Sequence, residues 1–67
     1  MGLVSNIDKY CAAEGITIKE FERRCHLANA LVHKWRIGIQ YPSMRTMQKI
    51  SEKTGVSIER WTMENGV

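Results

Sequence analysis

An all-α fold is the expectation for this 67-residue chain, and three observations carry it. Apolar residues recur three and four apart in five short segments. Gly15, Gly38 and Gly55 each follow such a segment, and the single proline, Pro42, stands between two of them. No stretch alternates apolar and polar residues with the period of two that a strand requires. The reading is one compact domain of five helices, approximately at 5–14, 18–25, 29–37, 44–54 and 58–63.

The first helix is expected to begin at Ser5, an N-cap residue with Asp8 three positions on to complete a capping box. Leu3, Val4, Ile7, Tyr10 and Cys11 form its apolar stripe, and Gly15 ends it in the left-handed region. Thr17 and Glu20 form a Thr-x-x-Glu capping box for the second helix, flanked by Ile16 and Phe21 as a hydrophobic staple. Phe21 and Cys25 share its inner face. The break Cys25-His26-Leu27 has no glycine, so a left-handed residue there would fall on His26 at a small cost. The third helix carries Val32 and Trp35 inward and stops at Gly38. Pro42 imposes an extended connection, and Ser43 caps a fourth helix with Met44, Met47, Ile50 and Ser51 inward. Ser57 caps a short fifth helix bearing Ile58, Trp61 and Met63, and Glu64 to Val67 reads as a polar tail. The expected core is Val4, Ile7, Cys11, Ile16, Phe21, Cys25, Leu27, Val32, Trp35, Met47, Ile50 and Trp61.

Composition narrows the function. No apolar run approaches the ~18 residues of a membrane span, and the N-terminus lacks the basic start and apolar core of a signal peptide. Cys11 and Cys25 both fall on apolar stripes, which favours buried free thiols in a reducing cytoplasm over a disulfide. The net charge of +3 is mild, but its placement is uneven. Lys19, Arg23, Arg24, Lys34, Arg36 and Arg45 stand against Glu20 and Glu22 between positions 19 and 45, a balance of +4, and the remainder carries −1. A phosphate-facing surface requires such a concentration, although a solvated helix face would show it too. Cys11, Cys25, His26 and His33 match no zinc spacing. No nucleophile–base pair, carboxylate pair or phosphate loop is present, so no metal, cofactor, small-molecule ligand or enzymatic activity is expected.

Two short apolar-periodic segments in the stretch Glu20–Gly38, separated by a tight break and the second of them at about Asn29–Ile37, describe a helix-turn-helix. Gly15-Ile-Thr, Phe21, Leu27, Val32, Trp35, Gly38, Pro42-Ser, Ile50, Gly55-Val-Ser and Trp61 are together similar to the lambda-repressor-like helix-turn-helix family of Cro, phage-repressor and xenobiotic-response-element type. The resemblance spans about residues 5–61. Phe21, Glu22, Leu27, Asn29, Val32, Lys34, Trp35 and Gly38 match a variant carried by small regulators on phages and integrated elements. The resemblance implies that the second and third helices form the motif, and that a homodimer binds double-stranded operator DNA with half-sites about one turn apart. Asn29, Ala30, His33 and Lys34 then occupy the base-reading face, with Asn suited to adenine, Lys to guanine and Ala30 to a thymine methyl. Thr17, Lys19, Tyr41, Ser43 and Arg45 would meet phosphates.

Five positions depart from the broad family pattern. Ile18 replaces a glutamine, Glu22 a small alanine and His26 the turn glycine. Arg36 and Cys11 stand where a glutamate and an arginine usually pair. Trp35 and Trp61 have the spacing of packing residues rather than stacking platforms. A dimer surface is expected at Ile58, Trp61 and Met63, and Trp61 is thus counted both there and in the core. The alternative expectation is a protein-binding module of the same fold, such as an antitoxin or an antagonist of another regulator.

Overall fold

A computed structural model describes residues 2–67. Five helices follow one another: α1 (Gly2–Glu14), α2 (Ile18–Arg24), α3 (Leu31–Ile37), α4 (Met44–Thr54) and α5 (Ile58–Thr62). No strand occurs among the described residues. Five helices without a strand match the expected fold class, and the caps explain most boundaries. Thr17, Ser43 and Ser57 hydroxyls accept the main-chain N–H of Glu20, Thr46 and Arg60 at 3.0, 3.2 and 3.3 Å. Each satisfies a donor that the first turn of a helix leaves open. Gly15, Gly38 and Gly55 take the left-handed conformation at the helix ends.

The start of α1 differs from the expectation. The helix begins at Gly2, and Ser5 lies inside it as an exposed residue rather than as its cap. Packing against α5 overrides the local signal. A Cβ on Gly2 would stand 2.7 Å from the Thr62 carbonyl oxygen, so only glycine permits the two helices to approach this closely. One turn later Asn6, fully buried, aims its amide Nδ2 at three carbonyls at the end of α5. These are Arg60 at 3.2 Å, Trp61 at 2.8 Å and Met63 at 2.7 Å. Carbonyls at the C-terminal end of a helix have no partner within it, and Asn6 supplies one from across the core. Its own Oδ1 and the indole Nε1 of Trp35 are buried without a partner among the described residues.

The core comprises Ile7, Cys11, Phe21, Cys25, Leu31, Val32, Trp35, Met47, Ile50 and Trp61. Leu31 joins it unexpectedly, whereas Val4, Ile16 and Leu27 are only partly buried against it. Tyr10, Phe21 and Trp61 form an edge-on triad with ring centroids 5.5–5.9 Å apart, a geometry that matches ring edge to ring face. The Trp61 indole N–H donates to Thr54 Oγ1 at 3.2 Å, and that hydroxyl donates in turn to the Ile50 carbonyl at 2.7 Å. Trp61 is therefore a core residue with no exposed surface, which corrects its expected place on a dimer face. Met44, expected inward, opens the first turn of α4 and is exposed. Cys11 and Cys25 are free and buried, and burial pushes the Cys25 thiol up to about 11, far from the thiolate that reacts.

The tail also departs from the reading as free polar chain. Arg60 Nε donates to the Gly66 carbonyl at 3.0 Å, Lys9 reaches Asn65, and Val67 packs on the core. No helix among the described residues is long and apolar enough to cross a membrane.

Candidate nucleic-acid interface

The α2–turn–α3 unit presents the candidate interface. Thr17 opens α2, while the Glu20 side chain turns outward instead of closing the expected reciprocal box. It accepts from Arg23 Nη2 at 2.6 Å and from Arg24 Nε at 2.9 Å. These two guanidiniums, Arg23 first, hold its carboxyl down at about 2. After α2 the chain reverses at His26, which takes φ +57° and carries the left-handed strain expected of it. The Leu27 N–H then donates to the Glu22 carbonyl at 2.8 Å.

The start of α3 is where the structure departs most from the sequence. The helix begins at Leu31, so Asn29 and Ala30 lie in the turn before it and not on its face. Ala30 is the N-cap position, with φ +62° and no side-chain oxygen to offer. Glu22 takes over. Its carboxylate, on a residue only 5% exposed, accepts from Val32 N at 2.9 Å and from Ala30 N at 3.3 Å. The position where the family commonly keeps a small alanine thus holds a long acidic arm that caps the next helix. An alanine in the left-handed region carries about 1–2 kcal/mol of steric cost. Ala30→Gly is expected to raise stability by about 1 kcal/mol, because glycine's extra unfolded-state freedom offsets part of the relief. A higher urea midpoint at unchanged slope would show it, and an unchanged or lower midpoint would refute it.

A second swapped device fixes the other end of α3. Arg36 donates to both Asp8 oxygens, at 2.8 and 3.0 Å, and this hydrogen-bonded guanidinium holds the Asp8 carboxyl below its ordinary range. The acid and base have exchanged helices relative to the family arrangement, and Asp8 sits one turn before Cys11. Asp8 thus serves Arg36 and not the capping box expected with Ser5.

Asn29, Ala30, His33 and Lys34 are all exposed, whereas Leu31, Val32 and Trp35 turn to the core. Lys19, Tyr41, Ser43 and Arg45 are exposed as well. The Thr17 and Ser43 hydroxyls are engaged as caps, yet a hydroxyl that accepts from a backbone N–H can still donate outward. Of the six cations between positions 19 and 45, Arg23, Arg24 and Arg36 are paired. Lys19, Lys34 and Arg45 form no ion pair among the described residues, and they are the charges available to phosphate. No cluster able to hold a metal ion occurs among the described residues.

The second helix of this helix-turn-helix is capped from the first and turns polar and basic side chains outward. A family model described as Helix-turn-helix matches residues 7–61. The chain belongs to this family, the Cro/C1-type, XRE-like helix-turn-helix proteins, whose members are DNA-binding regulators. Comparison with curated proteins and with solved structures finds no significant match.

Proposed function

We propose that the protein is a sequence-specific transcriptional regulator that binds operator DNA as a homodimer in the cytoplasm. The observation that supports this best is the outward set Asn29, Ala30, His33 and Lys34 at and just before the start of α3, accompanied by the exposed cations Lys19, Lys34 and Arg45, which form no ion pair among the described residues. Asn29 is suited to the N6/N7 edge of adenine, Lys34 to O6/N7 of guanine and the Ala30 methyl to thymine. Thr17, Lys19, Tyr41, Ser43 and Arg45 would set the register on phosphates without reading sequence. With Trp61 buried, a dimer surface on α5 rests on half-buried Ile58 and exposed Met63.

Selection of bound sequences from randomised duplex DNA, followed by a salt titration, tests the proposal. The expected result is a two-fold motif with half-sites about 10 bp apart and binding that weakens steeply between about 50 and 200 mM salt. Lys34→Ala is expected to cost about 1–3 kcal/mol on the selected duplex. Equal affinity of variant and wild type there would remove Lys34 from the reading set.

A second reading, a protein-binding module of the same fold, is favoured by one observation. Ile37, Ile39, Tyr41 and Met44 are exposed apolar residues within eight positions of chain, beside a groove lined by Leu3, Val4, Trp35 and Pro42. Contiguous exposed apolar surface marks protein contacts. Binding that is indifferent to salt and unselective for DNA sequence would favour this reading.

A further inference from the structure

We infer that Glu22 is a positioning residue for base reading. It rests on the regulator reading above, and it concerns a side chain that the DNA itself does not touch. Three observations converge on it. The residue that should cap α3 is Ala30, which has no side-chain acceptor and sits at φ +62°. The acceptor comes instead from α2, eight and ten positions earlier, as the buried Glu22 carboxylate bonded to Ala30 N and Val32 N. No cation pairs with that carboxylate among the described residues, so its whole engagement is with the main chain where α3 begins.

The geometry makes the turn dependent on Glu22. Asn29 and Ala30 are outside the helix, and the N–H of neither enters a helical hydrogen bond among the described residues. Ala30 N–H is held by one carboxylate oxygen, Val32 N–H by the other, and the two bonds bracket Leu31. They fix both the left-handed Ala30 and the direction in which α3 leaves it. Asn29 immediately before, and His33 and Lys34 one turn after, inherit their positions from that bracket. Two further contacts complete the turn. Leu31 N–H donates to the Ala28 carbonyl at 3.2 Å and Lys34 N–H to the Ala30 carbonyl at 3.2 Å. Both lie within the segment itself and give it no anchor on α2.

Electrostatics alone makes the opposite prediction, which is what gives the inference a sign. An anion near a DNA-facing surface opposes binding of a polyanion, so removing its charge should tighten binding to every duplex. A positioning role separates specific from non-specific binding. Glu22→Gln keeps one acceptor oxygen but turns an NH2 group toward a backbone N–H, so one of the two bonds is lost. Glu22→Ala loses both.

The test measures wild type and both variants by fluorescence anisotropy. The probes are a duplex enriched from a randomised pool by the wild type and a scrambled duplex of equal composition. Circular dichroism establishes the folded fraction, and amide exchange is followed at Ala30, Val32 and, as a remote reference, at Ile50. For Glu22→Gln the expected result is a loss of about tenfold on the enriched duplex, one bond's worth, with binding to the scrambled duplex unchanged or tighter. Whichever of Ala30 and Val32 faces the NH2 group should lose protection while Ile50 keeps it. A stability defect alone would move both duplexes and all three amides together. Equal or tighter binding of Glu22→Gln to the enriched duplex, or unaltered protection at both Ala30 and Val32, overturns the inference. Should Glu22→Ala fail to fold, the glutamine variant decides alone. If no duplex is enriched, the regulator reading fails and the DNA-reading role with it. Exchange at Ala30 and Val32 then shows separately whether Glu22 holds α3.

Discussion

Trp61→Ala is expected to cost about 3–5 kcal/mol and to leave the domain largely unfolded at room temperature. Trp61 is the largest fully buried side chain, and it is the point where four parts of the fold meet. Its ring stacks edge-on with Tyr10 of α1 and Phe21 of α2. Its indole N–H is satisfied by Thr54 at the end of α4, and its own carbonyl accepts from Asn6. Truncation would open a cavity that three short helices cannot close. A domain of this size has little stability in reserve. Urea denaturation followed by Trp35 fluorescence measures the loss. Trp61→Phe, which keeps most of the ring but not the N–H, should fall between alanine and wild type. A Trp61→Ala protein that stays folded with a loss below about 1 kcal/mol would mean that α5 is dispensable to the core, contrary to its burial.

Asn6→Ala is the second large effect, about 2–3 kcal/mol. Its amide carries two N–H groups and faces three carbonyls, Arg60, Trp61 and Met63, so the hydrogens are shared among them. Removing the amide leaves the Arg60 and Trp61 carbonyls without the protein donor that meets them in the folded state, while the Met63 carbonyl keeps the Gly66 N–H, and an unsatisfied buried acceptor costs its full desolvation. Aspartate should be no better than alanine, because an ionised carboxylate would face carbonyl oxygens with no proton to give. Denaturation midpoints of the Asn6→Ala and Asn6→Asp variants test this ordering. Asn6→Asp matching the wild type would show that the amide hydrogens are not what α5 depends on.

Much of this fold is legible in the sequence because its signals are local. Thr17, Ser43 and Ser57 act within three residues of their position in the chain, and Gly15, Gly38 and Gly55 act on their own backbone. The inward periodicity of Phe21 and Cys25, and of Val32 and Trp35, needs no knowledge of the partner. The misreadings concern residues whose partner is far along the chain. Ser5 and Asp8 fit a capping box, but Asp8 belongs to Arg36, twenty-eight positions away. Asn6 reads as a polar residue on a helix until α5 is placed beside it. Glu22 looks like a crowding substitution in a tight helix pair, and only the position of Val32 N–H turns it into a cap. The start of α3 lies two residues later than the periodicity suggests, since the left-handed Ala30 leaves no mark in an alanine side chain. At the interface, the exposure of Asn29, Ala30, His33 and Lys34 agrees with the family pattern carried over to them. The resemblance alone assigned their roles.

The stacking of α1 on α5 has a consequence for how the chain reaches its native state. The bonds that close the domain join Asn6 to residues 54–57 positions distant, whereas those that tie α2 to the start of α3 span at most ten. Contacts close in sequence form first, since little loop entropy opposes them. The order of assembly therefore runs from the recognition unit outward, with the two ends of the chain docking last. In a mutational map of the folding transition state, substitutions at Glu22 and Val32 would slow folding. Those at Asn6 would chiefly speed unfolding.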